Sequence, residues 1–321
     1  MKKAIDVPGY ILDMVSKYAN SYVELSRERL MPNVSDEVWA DFIQNRSTHR
    51  LADSSERRKI HQAILGEIAK RGLVGERPER PLLIYVCGPK ASGKTTLLEG
   101  FQQRIEKEQK QGVYEEYEAP SLERFFQKYK AAVAYFMMAD FQLFKESLPE
   151  FAESGGEYAV IRAEAAGLNE ACKAWAEELG ACVIIEQLGY GGINREVLKK
   201  MKSGYELHTV AVSAPPTVNA QRLLQRSREK DEAADLDELA RMIRGISQPD
   251  EVLPVLEAGA SGALLFSDQN YRVVASWEKG REEVFQPSDM ERFRGYGGMS
   301  ENQIKGLFAL SGVGVLDLRN S

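Results

Sequence analysis

Soft and imidazole metal ligands are scarce in this sequence: 321 residues hold three cysteines and three histidines. Cys87, Cys172 and Cys182 are too few and too scattered for a disulfide framework or a zinc knuckle, and Cys87 and Cys182 fall in apolar, strand-like runs. His49, His61 and His208 lie far apart without carboxylate or cysteine companions at ligand spacing, which leaves no zinc site to expect. No apolar run approaches membrane-spanning length. Met1-Lys2-Lys3 could open a signal peptide, but Asp6 and Asp13 interrupt the apolar stretch behind it, so a cytoplasmic chain without a membrane partner is expected. An excess of positive charge is missing too. With 42 basic against 48 acidic residues, the net charge of -6 argues against nucleic acid as the partner of the whole surface.

What the chain does have is 43% hydrophobic residues, enough for a large core, and an alternation of β-rich runs with amphipathic helical patterns. Strand-like runs occur at 82–87, 133–139, 182–185, 208–213 and 263–266. Between them, Tyr158, Ile161, Ala165, Leu168, Cys172, Trp175 and Leu179 recur at steps of three and four over 157–179, and Gly180 supplies the stop. This pattern predicts an α/β fold, a mostly parallel sheet with helices on both faces. Residues 1–80 read as a helical N-terminal extension, with Ile60, Ile64, Leu65 and Ile68 on one face, and 81–270 as the core. Residues 271–321 read as a small α+β extension: a hairpin about Glu278-Lys279-Gly280-Arg281, then a helix capped by Ser300 and running to about Leu310.

The first run, Leu82 to Cys87, leads into Gly88-Pro89-Lys90-Ala91-Ser92-Gly93-Lys94-Thr95, the full pattern G-x-x-x-x-G-K-[ST]. A loop of this kind turns backbone N–H groups toward an anion, while its lysine reaches the β and γ phosphates and its hydroxyl reaches Mg²⁺. Gly88, Ala91, Ser92, Gly93, Lys94, Thr95 and Thr96 are therefore the expected ATP-binding residues, and Thr95 the expected metal ligand. Parallel sheets place ligands at the carboxyl ends of their strands, where the second run ends in Asp140 and the third in Glu186. Asp140 at such a point is either a proton acceptor for an attacking hydroxyl or a helix N-cap. Pro215 and Pro216 open a helix on which Arg222 and Arg226, four residues apart, share a face; they can close over phosphates or simply pair at the surface. No guanine-reading Asn/Thr-Lys-x-Asp segment follows, which favours ATP over GTP.

Together these elements resemble the zeta toxin family, P-loop kinases of bacterial toxin–antitoxin systems. The likeness runs from about residue 82 to 270: the phosphate loop through Thr96, then Ala139-Asp140 with Leu148-Pro149-Glu150-Phe151, then Val183-Ile184-Ile185-Glu186, then Ala214-Pro215 leading to Arg222 and Arg226. The resemblance implies a kinase that uses ATP and Mg²⁺ to phosphorylate a sugar hydroxyl, often on UDP-N-acetylglucosamine. It casts Lys94 as the phosphate lysine, Asp140 as catalytic base, Arg226 as a lid arginine and Glu186 as a substrate carboxylate, and it implies a helical antitoxin protein as partner. The chain departs from the pattern in about thirty extra residues between the loop and Asp140, in Glu186-Gln187-Leu188 where Glu-Gly-Thr is expected, and in Asp231, Glu232, Asp235 and Asp237 where a further arginine is expected. A second function stays open, a nucleotide-binding interaction module without turnover. The N-terminal helices are open to two readings as well, a built-in cover or a buttress.

Overall fold

The computed structural model describes residues 5–30, 35–153, 158–190, 192–230 and 234–309; Met1 to Lys3, Pro32, Gly191, Asp231, Glu232 and the end of the last helix near Leu310 lie outside them. The chain runs α1 (Gly9–Leu30), α2 (Asp36–Asp41), α3 (Ser55–Gly72), β1 (Leu82–Cys87), α4 (Lys94–Gln111), α5 (Pro120–Ala132) and β2 (Phe136–Asp140). It continues with α6 (Phe141–Ser147), α7 (Glu150–Glu153), α8 (Tyr158–Leu179), β3 (Cys182–Gln187), α9 (Ile193–Lys202), β4 (Glu206–Ser213) and α10 (Pro216–Lys230). Last come α11 (Leu236–Ile246), α12 (Val252–Ala258), β5 (Ser261–Phe266), β6 (Arg272–Glu278), β7 (Arg281–Val284), α13 (Pro287–Gly298) and α14 (Glu301–Ala309).

Two compact units interleave in sequence: Met1–Pro81 joins Val133–Ile184, and Leu82–Ala132 joins Ile185–Ser321. In the first, β2 lies beside β3, and α1 packs along α8. Ile11, Val15 and Ala19, four residues apart on α1, are buried in this contact. The helices come so close that a Cβ on Gly167 would sit 2.3 Å from the Val15 carbonyl oxygen, a spacing only glycine allows. Arg57 on α3 reaches into the same unit. Its guanidinium pairs with Glu150 of α7 at 2.7 Å and with Glu164 of α8, which His61 also contacts. Arg57, His61 and Glu164 are all buried. Burial would lower the Arg57 pKa, yet the bonds to Glu164 and Glu150 raise it; burial would raise Glu164, yet His61 and Arg57 together hold it below the ordinary carboxylate range.

In the second unit the end of β3 flanks β1, and the order continues β1-β4-β5-β6-β7. β1, β4 and β5 are parallel, with Leu82 opposite Glu206 and His208 opposite Ser261, and nearly every residue in them is buried, as a sheet covered on both faces requires. The expected hairpin is present as β6 and β7, which extend this sheet antiparallel; all four residues of β7 are exposed. At the amino-terminal end of β4, His208 is held between Ser261 Oγ and Glu206 Oε1, each at 2.8 Å, and Lys128 pairs with Glu206. It is a satisfied core histidine. On α10 and α11, Ala220, Leu239, Ala240 and Ile243 are buried with Tyr296, Ile304 and Phe308 of the last two helices, which fixes the helix carrying both arginines. Among the described residues no helix is long and apolar enough to cross a membrane.

Candidate functional site

β1 ends at Cys87, whose buried thiol is pushed up to about 12 by desolvation and is therefore inert. The chain then turns at Gly88. Its N–H donates to the Gln187 carbonyl at 3.2 Å, and an added Cβ would lie 2.0 Å from the Val212 carbonyl oxygen, so the loop is wedged between the ends of β3 and β4. Ala91 adopts a φ of 58°, and Gly93, at 95°, is the N-cap of α4. No side chain caps this helix, and no acidic residue stands in its first turn. The first-turn N–H groups and the positive end of the helix thus meet outside the loop, the arrangement that attracts phosphate.

Lys94 folds its ammonium back onto the Gly88 and Pro89 carbonyls at 3.0 and 3.1 Å. Exposed Thr95 donates from its hydroxyl to Glu186 Oε1 at 2.9 Å. A hydroxyl and a carboxylate side by side match the few protein oxygens that Mg²⁺ accepts when phosphates and water complete its shell. Ser92 is wholly buried, and its Oγ has no hydrogen-bond partner among the described residues. Thr96 is exposed on the first turn of α4.

The two arginines of α10 differ. Arg222 is half-buried and donates to Ser267 Oγ at 2.7 Å, to the Ser267 carbonyl at 3.1 Å and to the Ala91 carbonyl at 3.5 Å. Arg226, one turn on, is exposed. Tyr271 adds a contact that no sequence signal announced: its hydroxyl donates to the Gly93 carbonyl at 2.8 Å.

Asp140 belongs to the other unit. It ends β2 and caps α6, accepting from the Gln142 N–H at 2.8 Å, so the N-cap role is real and fixes the carboxylate at the strand end. Downstream, Leu148 is buried and Glu150 is the residue that Arg57 holds.

A phosphate loop closing the first strand of a largely parallel sheet, with a carboxylate from the neighbouring strand on its threonine, defines an α/β protein of P-loop kinase-like fold. Solved structures agree on the fold. A chain of the AvrRxo1-ORF1:-ORF2 complex in its native crystal is similar at a TM-score of 0.53 and 18% identity, over 81% of this chain and 78% of that one. The same complex crystallised with ATP gives 0.52 and 19%, over 74% and 72%. A structure of the PezAT chromosomal toxin–antitoxin system of Streptococcus pneumoniae gives 0.47 and 14%, over 82% and 96%, a score too low to establish a shared fold. No family model and no curated protein sequence matches this chain.

Proposed function

We propose that this chain is an ATP- and Mg²⁺-dependent phosphotransferase of zeta-toxin type, which moves the γ-phosphoryl group to a hydroxyl of a nucleotide sugar such as UDP-N-acetylglucosamine. The observation that carries the reading is the hydrogen bond between Thr95 Oγ1 and Glu186 Oε1 beside an uncapped helix start. A surface turn has no reason to pair its threonine with a strand-end carboxylate. The fold shared with a complex crystallised with ATP supports the choice of nucleotide. The sequence pattern, from the loop to Asp140, Glu186 and the arginines of α10, supports the choice of reaction.

Bound Mg-ATP supplies the transferable phosphoryl group and neutralises part of the charge on its oxygens. The chain's residues do the rest. The N–H groups of the loop and the start of α4 hold the phosphates, and Lys94 exchanges its two carbonyl partners for phosphate oxygens. Thr95 and Glu186 would hold the metal, and Glu186 would also serve as the substrate carboxylate that the resemblance implies. Asp140 takes the proton of the attacking hydroxyl, its plane fixed by the cap it makes on α6. Arg226, and Arg222 through its charge, offset the negative charge that accumulates on the transferred group. Because the AvrRxo1 neighbour is a two-protein complex, a protein antitoxin is the expected partner.

The test is to incubate the purified chain with Mg-ATP and a panel of nucleotide sugars and dinucleotides, and to search by mass spectrometry for a product heavier by one phosphate. Modification of a nucleotide sugar supports the full reading, and modification of a dinucleotide alone corrects the acceptor. ATP binding without any product favours the second reading, an interaction module, to which the acidic stretch about Asp235 and Asp237 also points.

A further inference from the structure

The phosphate loop has a back as well as a front. Behind it the connection from β5 to β6 turns through Asn270 and Tyr271, with φ of 52° and 57°, two consecutive side-chain-bearing residues in the left-handed region. That is uncommon for asparagine and rarer for a bulky tyrosine. The turn delivers the Tyr271 hydroxyl to the Gly93 carbonyl. From the other side, Arg222 ties Ser267, at the start of the same turn, to the carbonyl of Ala91. Both contacts fall on loop carbonyls, away from the groups that would meet a phosphate.

The consequence follows from peptide geometry. A trans peptide points its C=O and the next residue's N–H in opposite directions. The Gly93 carbonyl has two lone pairs; the Leu97 N–H takes one at 3.0 Å to begin α4, and Tyr271 takes the other. With both occupied, the plane of the Gly93–Lys94 peptide is fixed, and the Lys94 N–H, opposite that carbonyl, is aimed out past the start of the helix. Glycine at 93 would otherwise leave that plane free to rotate. We infer that Tyr271, together with Arg222 and Ser267, is a positioning device that presets the amides of the phosphate loop, so that Arg222 acts on phosphate through the loop as well as by its charge. This inference rests on the reading of the loop as a nucleotide site.

The experiment measures binding of ATP and of inorganic tripolyphosphate to the full chain by titration calorimetry, for the natural protein, Tyr271→Phe and Arg222→Lys. A preset cradle predicts that Tyr271→Phe weakens both ligands equally, by about 3- to 10-fold, the loss of one hydrogen bond. The melting temperature of the ligand-free protein should move by less than about 4 °C. Arg222→Lys keeps the charge but loses the fork that spans Ser267 and Ala91, and should likewise weaken both ligands; it carries the test alone if Tyr271→Phe does not fold. Weakening of ATP with tripolyphosphate untouched would make Tyr271 a contact to the nucleoside and overturn the inference. Unchanged binding of both ligands in both variants would overturn it too, leaving the nucleotide site standing. A natural protein that binds neither ligand would sink the nucleotide reading and the inference with it.

Discussion

In the unit that contains Arg57, charged side chains from three helices meet inside the fold and answer one another; in the unit that contains the phosphate loop, polar groups gather at a strand end and several face outward. Glu164 is wholly buried and carries two partners, Arg57 and His61. Thr95 is exposed, the start of α4 is uncapped, and the buried Ser92 Oγ has no partner among the described residues. The same kinds of residue thus serve different ends. A closed network holds helices together and is costly to break, whereas an open one waits for a ligand and can be altered without unfolding the protein.

Asp140 tests that distinction most severely, because it both caps a helix and stands as the proposed base. In Asp140→Asn the cap persists, since asparagine caps as well as aspartate. Turnover should fall by about 10²- to 10⁴-fold with ATP affinity unchanged, measured by steady-state kinetics and calorimetry. Loss of stability in place of turnover would reduce Asp140 to its capping role. Arg57→Ala should do the reverse, destabilising the fold by about 3–5 kcal/mol in denaturant titration by stranding Glu164. A loss below about 1 kcal/mol would place Arg57 with the surface pairs.

The same network should show in the pH dependence of stability. The carboxyl of Glu164 is held below its ordinary value of 4.5, so its contribution is complete above 4.5 and disappears as the pH falls through the lowered value. Thermal melts between pH 7 and 3 should therefore show declining stability at the acid end, and Glu164→Gln should flatten that decline. The effect should be smaller than that of Arg57→Ala, because a protonated Glu164 keeps a hydrogen bond. Smaller again is Gly167→Ala, which pushes α8 off the Val15 carbonyl at a cost of about 1–3 kcal/mol, read as a lowered denaturation midpoint with nucleotide affinity unchanged.

The sheet was largely legible in sequence because its parallel strands are buried on both faces and so read as unbroken apolar runs. β1 matches 82–87 residue for residue. β2 starts at Phe136, later than the run at 133 suggests, because α5 runs on to Ala132 and Tyr135 pairs in an isolated antiparallel bridge with Leu73. The phosphate loop was legible because its backbone demands glycine at fixed places. What stayed hidden depends on partners distant in sequence. A helical stripe tells which face of α1 is apolar but not that α8 covers it, and nothing near Glu150 names Arg57, 93 residues away. Tyr271 was hidden for another reason: neither its spacing nor its type suggests a residue that would enter the left-handed region and reach back 178 positions to the loop.

The interleaving of the two units has a practical outcome for anyone trimming this protein. A fragment starting at Leu82 keeps α8 but discards α1, and with it Ile11, Val15 and Ala19, while Glu164 loses Arg57 and His61 together. Such a fragment would emerge with a bare apolar helix and an uncompensated carboxylate, and would collect in inclusion bodies. Anyone who strips the amino-terminal helices to ask whether they cover or buttress the rest should first establish by sedimentation that the product is still a dispersed, folded molecule.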